Sequence, residues 1–574
     1  MSSNSVVRSA LSFTAILCLP AVLSANERWS DANSYYAPAD IGYTQTDPVP
    51  THPTRTQASL PASGNSSHAS TQQRTAGIDA SYASGNNAGA PACDDCKKPD
   101  CGDCKKQKAL GKAVAGAYKG LFYDNNFDYL CDPCYQDHHL GENAKRIAVG
   151  EKWTWDLGGQ YRLRQHGEYN LRQKSLTGVS DDYLLSRLRL YMNAEYGDWF
   201  RFYGEAIDAT SWFQNRVPRG IEVNRFDALN LFADFKVWDN GNQLWIRPGR
   251  QELLYGAERV VSPLDWSNTR RTFDGAKAYW LGDNWRVDGW WTRPVRFGQH
   301  ITNGLQDHNF DSPNQDEDFV GLWAKYKTKK GRALEAFFLR LDNYGGGNVN
   351  VNMNRGDFDY NMFGGRILNE AYGLLYEVWG GYQFGQWAGN DITAGQFTCG
   401  IGDEWNDVTW KPSLWFYYDW ASGDHNLNDN KIATANQYFP LGHKYFGWMD
   451  LIARQNIQDV NAVLAVKPTK KLKLLLWYHM FYLQSRFDAL YNAGGAPLYQ
   501  DPTGGSGNQV GTELDFIAKW QFNPRTDILI GYSHFFAGNY FNSAAIQGGP
   551  AGLATNGANG KDADFVYTQW TVNF

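Results

Sequence analysis

Arginine is crowded into a stretch whose other residues favour a sheet. Gly249–Trp280 reads GRQELLYGAERVVSPLDWSNTRRTFDGAKAYW, so Arg250, Arg259, Arg270, Arg271 and Lys277 fall together just after Arg247. A guanidinium is a planar fork that matches carboxylates, whereas a lysine ammonium is a hydrated point charge. Guanidinium groups inside a sheet need water or carboxylates around them. Asp265 and Asp274 are the local candidates. A dry soluble core excludes such a crowd, and the wet interior of a large barrel accommodates it. The bias is regional. Trp153–His300 holds 17 Arg and 3 Lys, and Ile301–Phe574 holds 7 Arg and 13 Lys. Alternation along the strands puts Arg162, Arg164, Arg187, Arg189, Arg201, Arg247, Arg250 and Arg271 on one face. Arg270, Lys277, Glu205 and Asp274 complete the expected lumenal set. Such a wall suits an anionic solute. The same stretch carries 18 acidic residues against its 20 basic ones. The residues therefore equally suit an Arg–carboxylate ladder that braces a barrel.

Six cysteines form the second constellation: Cys93, Cys96, Cys101, Cys104, Cys131 and Cys134. Close thiol pairs suit either disulfides, favoured in an exported protein, or a tetrahedral metal such as zinc. No pair is followed directly by His, which argues against covalent haem. Oxidation of all six, with Cys399 left as a thiol, is the expectation. Acidic residues in Asp311–Asp318, and Asp424 with His443, could hold a divalent cation such as calcium. The plainer reading of these loops is solvation and Asp–backbone turns. There is no G-x-S-x-G and no HExxH, and the histidines are scattered, so catalysis is not expected.

The elements that must position these groups are strands. In Asp182–Gly197, Leu188, Leu190, Met192, Ala194 and Tyr196 share one face, with Arg187, Arg189, Tyr191, Asn193 and Glu195 on the other. This period of two places the charged set outward in a soluble sheet and inward in a membrane barrel. Similar stretches recur eighteen times, from Trp153–His166 to Ala563–Phe574. The aromatic content of 15% and the 58 Gly fit a barrel. No later stretch has the roughly 20 apolar residues of a membrane helix. Turns such as Tyr196–Asp198 and Leu281–Asn284 are tight. Val295–Glu317, Ser422–Asn456, Arg486–Asn508 and Gly538–Asp562 are long, which is the outer-membrane pattern. The net charge of −6 gives no case for nucleic acid.

Met1–Ala25 reads as a secretory signal, with Arg8 flanking an apolar run. Residues 26–92 are rich in Ser, Thr, Asn, Ala and Gly and read as a disordered leader. Residues 93–150 form a Cys-rich segment, with a short amphipathic helix expected over Lys106–Phe122. This segment would serve as plug, cap or docking module on the periplasmic side. Residues 151–574 are the barrel. The chain ends on a strand in which Val566, Thr568, Trp570, Val572 and Phe574 share a face. Such an ending in Phe resembles the signal read by the outer-membrane assembly machinery.

Taken in order, GRQ at Gly249–Gln251, RRTFDG at Arg270–Gly275, DWASGD at Asp419–Asp424, PLGHKYFGWMD at Pro440–Asp450 and GTELDFIAKW at Gly511–Trp520 resemble the alginate-export family. That resemblance implies an eighteen-stranded outer-membrane channel passing an alginate-like polyuronate or other anions, and a monomer is the expectation. The extension before about Lys152 lies outside it. A general diffusion porin for small solutes, or a structural or adhesive surface barrel, are the alternatives.

Overall fold

The computed structural model describes residues 104–172, 175–296, 301–302, 305–306, 310–329, 331–547 and 557–574. The secretory signal, the leader, and Cys93, Cys96 and Cys101 lie outside the described residues.

Eighteen antiparallel strands form the wall. They are β1 (Trp153–Tyr169), β2 (Asp181–Tyr196), β3 (Phe200–Trp212), β4 (Asn224–Asp239), β5 (Gln243–Gln251) and β6 (Phe273–Leu281). Next come β7 (Trp285–Pro294), β8 (Glu317–Tyr326), β9 (Ala333–Asn343), β10 (Phe358–Ala371), β11 (Leu374–Trp387) and β12 (Asn390–Glu404). The last are β13 (Ser413–Ala421), β14 (Ile457–Val466), β15 (Leu472–Leu483), β16 (Gln509–Asn523), β17 (Thr526–Ala537) and β18 (Ala563–Asn573). Each strand pairs with its neighbour in sequence, and β18 returns to β1 from Gln160↔Asn573 to Tyr169↔Asp564. Closure removes every sheet edge, which a strand-built membrane span requires. Ile147–Val149 pairs with the start of β1, and Lys431–Ile432 runs parallel to the start of β12.

Alternation decides which side faces where. Leu190, Leu322, Phe363, Phe416 and Ile530 point outward and are exposed, forming the apolar belt. Trp199, Trp238, Trp285, Trp405, Trp410 and Trp520 ring the end with the short turns, also exposed. Aromatic girdles of this kind mark the level of the lipid headgroups. The tight β11–β12 connection takes positive φ at both central residues, Ala388 and Gly389. That is the hairpin geometry whose twist matches the strands it joins.

The lumen is filled, which the alternation did not reveal. The inward face was expected to be wet, yet Arg162, Arg164, Arg187 and Arg189 are at most 2% exposed. Three segments fold inward and cover them. One is residues 252–272, the loop after β5. A second is residues 422–456, the loop after β13. These two meet at Val261↔Phe439, and Trp266 stacks on His443 at 3.5 Å. The third is the N-terminal segment. Its helix α1 spans Cys104–Ala115, shorter than Lys106–Phe122 because Gly116 ends it. Glycine is a poor helix former, and Gly120 follows it. Tyr118, Leu121, Phe122 and Tyr123 then pack on Tyr191, Tyr203 and Phe232 of the barrel wall.

Candidate functional site: a braced and occupied lumen

The inward loop after β5 brings the predicted arginines together on one carboxylate. Asp265 accepts from Arg187 at 2.8 Å and from Arg270. Its backbone oxygen accepts from Arg162 at 2.8 Å. Arg164 donates to the Trp266 carbonyl at 2.7 Å and lies 3.9 Å over the Trp266 ring. Burial pushes the Asp265 carboxyl up, but the guanidiniums of Arg270, Arg187 and Arg162 outweigh it and hold it well below the usual range. A buried guanidinium costs several kcal/mol of desolvation, so each needs such partners.

The other predicted residues are held elsewhere. Arg189 donates to Glu205 at 2.6 Å and lies 3.8 Å over Phe122 of the N-terminal segment. Arg201 and Arg247 share Asp234, at 2.8 Å and 2.7 Å. Arg250 grips Asp274 through two bonds of 2.7 and 3.0 Å. A strand was expected to open at Arg271, but Arg270 and Arg271 both precede β6 and belong to the inward loop. Arg270 also reaches Glu252. Arg271 donates to the Ser262 carbonyl at 3.2 Å. Lys277 stands apart, its ammonium 3.8 Å from Asp288.

Sequence reasoning missed the far side of the lumen. Arg259, from the tip of the inward loop, reaches Asp419 on β13 at 3.2 Å and Glu377 on β11 at 3.4 Å. Arg454 joins the same Asp419 at 2.8 Å, and Arg366 joins Glu377 at 2.8 Å. The loop after β5 therefore ties the arginine-rich wall to the opposite one. The inward positions of Glu377 and Asp419 were readable from alternation, but their partner lies 160 residues from Asp419.

The N-terminal segment is latched at the short-turn end. Arg525, in the β16–β17 turn, donates to Glu142 at 2.7 Å and to the Val114 carbonyl at 3.0 Å. Glu142 also accepts from Tyr129 at 2.7 Å and from the His139 amide at 2.8 Å. Burial pushes the Glu142 carboxyl up, and the hydrogen bonds from Tyr129, His139, Tyr135 and Arg525 bring it below its ordinary value. In the Cys-rich segment, Cys134 is disulfide-bonded. Among the described residues no three His, Cys, Asp or Glu groups are placed to hold a metal ion. Asp424 serves a turn, accepting from the Asn426 amide at 2.9 Å and the Ala433 amide at 3.1 Å.

The long loops are joined through Asp488. It accepts from the Asp424 amide at 2.8 Å, Thr434 at 2.6 Å and Tyr491 at 2.8 Å. Burial pushes this carboxyl up to about 6, against the lowering pull of those donors. A raised folded value means that Asp488 adds stability below the ordinary carboxylate range. That contribution is lost as pH rises through about 6. Protease resistance of residues 422–456 and 484–508 is therefore expected to fall between pH 4.5 and 7 by more in the parent than in Asp488→Asn. Equal pH dependence in the two would refute this.

A closed eighteen-strand barrel with an apolar outer belt, aromatic girdle and polar, ion-paired lumen is an outer-membrane transport protein. A model of the alginate export family matches residues 154–551. The chain belongs to the alginate export family. No curated protein matches it. Among solved structures it is similar to Acinetobacter baumannii OccAB1, at 11% identity and a TM-score of 0.48, over 73% of this chain and 96% of that one. Pseudomonas aeruginosa OccD3 (OpdP) is similar at 10% identity and a TM-score of 0.44, over 73% and 91% of the two chains.

Proposed function

We propose that this protein is a plugged diffusion channel for small hydrophilic solutes, with its N-terminal segment on the periplasmic side. One observation carries the reading. The lumenal arginines are already bound to the protein's own carboxylates and carbonyls, so they brace the barrel. A polyanion would have to displace Asp265, Glu205, Asp234 and Asp274 from charge-assisted bonds before it could bind. Family membership favours a second reading, passage of an alginate-like anionic polysaccharide. The lipid bilayer and the outer-membrane assembly machinery are the partners either reading needs, and the channel acts as a monomer.

Planar-bilayer recording separates the two. Under the first reading, added polyuronate leaves the current unchanged, and the double variant Arg250→Ser/Arg271→Ser shifts the reversal potential little. Block of the parent by polyuronate, relieved in that variant, would replace the first reading by the second. Any anion preference that does appear should fade as salt rises, because the Debye length falls from about 10 Å at 0.1 M to about 3 Å at 1 M.

A further inference from the structure

The N-terminal segment and the loop after β5 enter the lumen from opposite ends and meet inside it. The Tyr123 hydroxyl donates to the Glu252 carbonyl at 2.7 Å. Arg270 donates to the Gly120 carbonyl at 3.0 Å. Leu254 packs against the apolar cluster of the segment. Among the described residues, that cluster takes in nothing from the loop after β13.

Arg270 joins the two. Its buried guanidinium donates to Gly120 of the segment, to Glu252 at the root of the loop, and to Asp265 further along the same loop. Asn230 on β4 fixes Glu252 to the wall, donating to its carboxylate at 3.0 Å and accepting from its amide at 2.8 Å. When the segment leaves, Glu252 therefore stays and Arg270 is released to shift. Asp265 and its neighbour Trp266 follow Arg270. Trp266 stacks on His443, and Val261 bridges to Phe439, both in the loop after β13. A continuous set of contacts thus runs from the segment through the first inward loop to the second.

The first loop is also held in a strained form. Glu258, Leu264 and Arg270 take positive φ, at 64°, 53° and 59°. Residues with a Cβ keep such a backbone only where the surroundings over-determine it. Removing the segment takes a buried acceptor from Arg270 and the donor from the Glu252 carbonyl. Buried polar groups left without hydrogen bonds are unfavourable, so the inward form of the loop loses part of its support.

We propose that docking of the N-terminal segment clamps both inward loops, and that its release at the short-turn end loosens the long-loop end of the lumen. The two obstructions then open together, and the state of one end is transmitted to the other. This coupling does not depend on which solute passes. Coupling between two sites is reciprocal, and its usual strength changes an equilibrium by about 5–150-fold.

The test is hydrogen exchange, read by mass spectrometry, on the detergent-folded full chain. Phe122→Ser with Tyr123→Ser strips the buried aromatics that dock the segment. Exchange at residues 440–450, in the second loop, should then rise about tenfold, while the wall strand β9 stays at the parent rate. An unchanged rate at 440–450, or a rise confined to 252–254 where the segment itself packs, would show that the obstructions open independently and overturn the proposal. Reciprocity supplies a second arm that leaves the segment intact. Arg259→Ala cuts the tie of the first loop to Asp419 and Glu377. It should speed exchange at 110–121 in the segment by about the same factor as at 252–272. Faster exchange at 252–272 with the segment at the parent rate overturns the coupling. Heat modifiability on a gel checks that each variant is folded, and the Arg259→Ala arm decides if the double variant is not.

Discussion

A chain lacking residues 26–146 is expected to conduct several times more current per channel than the parent, because an eighteen-stranded barrel relieved of its plug leaves an aqueous lumen. The deletion keeps Ile147–Val149, which pairs with β1. It removes the aromatic cluster packed on Tyr191, Tyr203 and Phe232. The inward loops after β5 and β13 remain, anchored by Arg259 and Arg454 on Asp419, so conductance should stay below that of an empty barrel. A milder version loosens the latch alone. Glu142→Ala leaves Arg525 buried without its carboxylate, at about 3–5 kcal/mol. That is enough to populate the unplugged state and produce frequent opening. Acid should act in the same direction. Glu142 is held below its ordinary value of 4.5 when the segment is docked. The latch is therefore at full strength above that value and is lost as pH falls through the lower docked one. Unchanged single-channel conductance in the deletion would mean that the segment does not obstruct the path.

The wall was legible because period two is a local signal. β5, β14 and β17 run over Gln243–Gln251, Ile457–Val466 and Thr526–Ala537, the spans that alternation alone indicates. Errors arose where backbone conformation overrides pattern. Alternation alone reads Val408–Ala421 as one strand, but Trp410 and Lys411 take positive φ ahead of Pro412, and β13 starts at Ser413. Alternation alone starts the next strand at Gly395, but β12 begins five residues earlier at Asn390, because Ala388 and Gly389 close a tight hairpin. The site was legible only in part. Alternation assigns Arg162, Arg187 and Arg189 to the lumen, but it cannot say what meets them there. That depends on Asp265, 78 residues from Arg187, and on Phe122, supplied by another segment altogether. A loop that folds inward has the composition of one that folds outward. Guanidiniums need water or carboxylates around them, and from the sequence that need pointed to a wet lumen and not to a covering loop.

Removing Phe574 is expected to cut the amount of folded, heat-modifiable barrel in the membrane to a small fraction of the parent level. Two effects add. The residue belongs to the terminal strand pattern that includes Trp570 and Val572, so recognition by the assembly machinery should weaken. It also completes the seam that closes the barrel. The Phe574 amide donates to the Gly159 carbonyl at 3.0 Å, and the Gly159 amide donates to the Phe574 carbonyl at 2.8 Å. Lys145 of the N-terminal segment reaches that same carbonyl at 3.2 Å. The ring lies over Gly159, where a Cβ would come within 2.8 Å of it and within 2.1 Å of the Arg189 carbonyl. Gly159→Val should therefore break the seam while leaving the C-terminal strand sequence intact. Comparing the two variants separates the causes. If only the Phe574 deletion lowers folded protein in cells, recognition dominates. If both lower it, and both refold poorly into detergent from urea, closure of β1 on β18 dominates. Parent levels of folded barrel in both variants would exclude any role for this end of the chain in assembly.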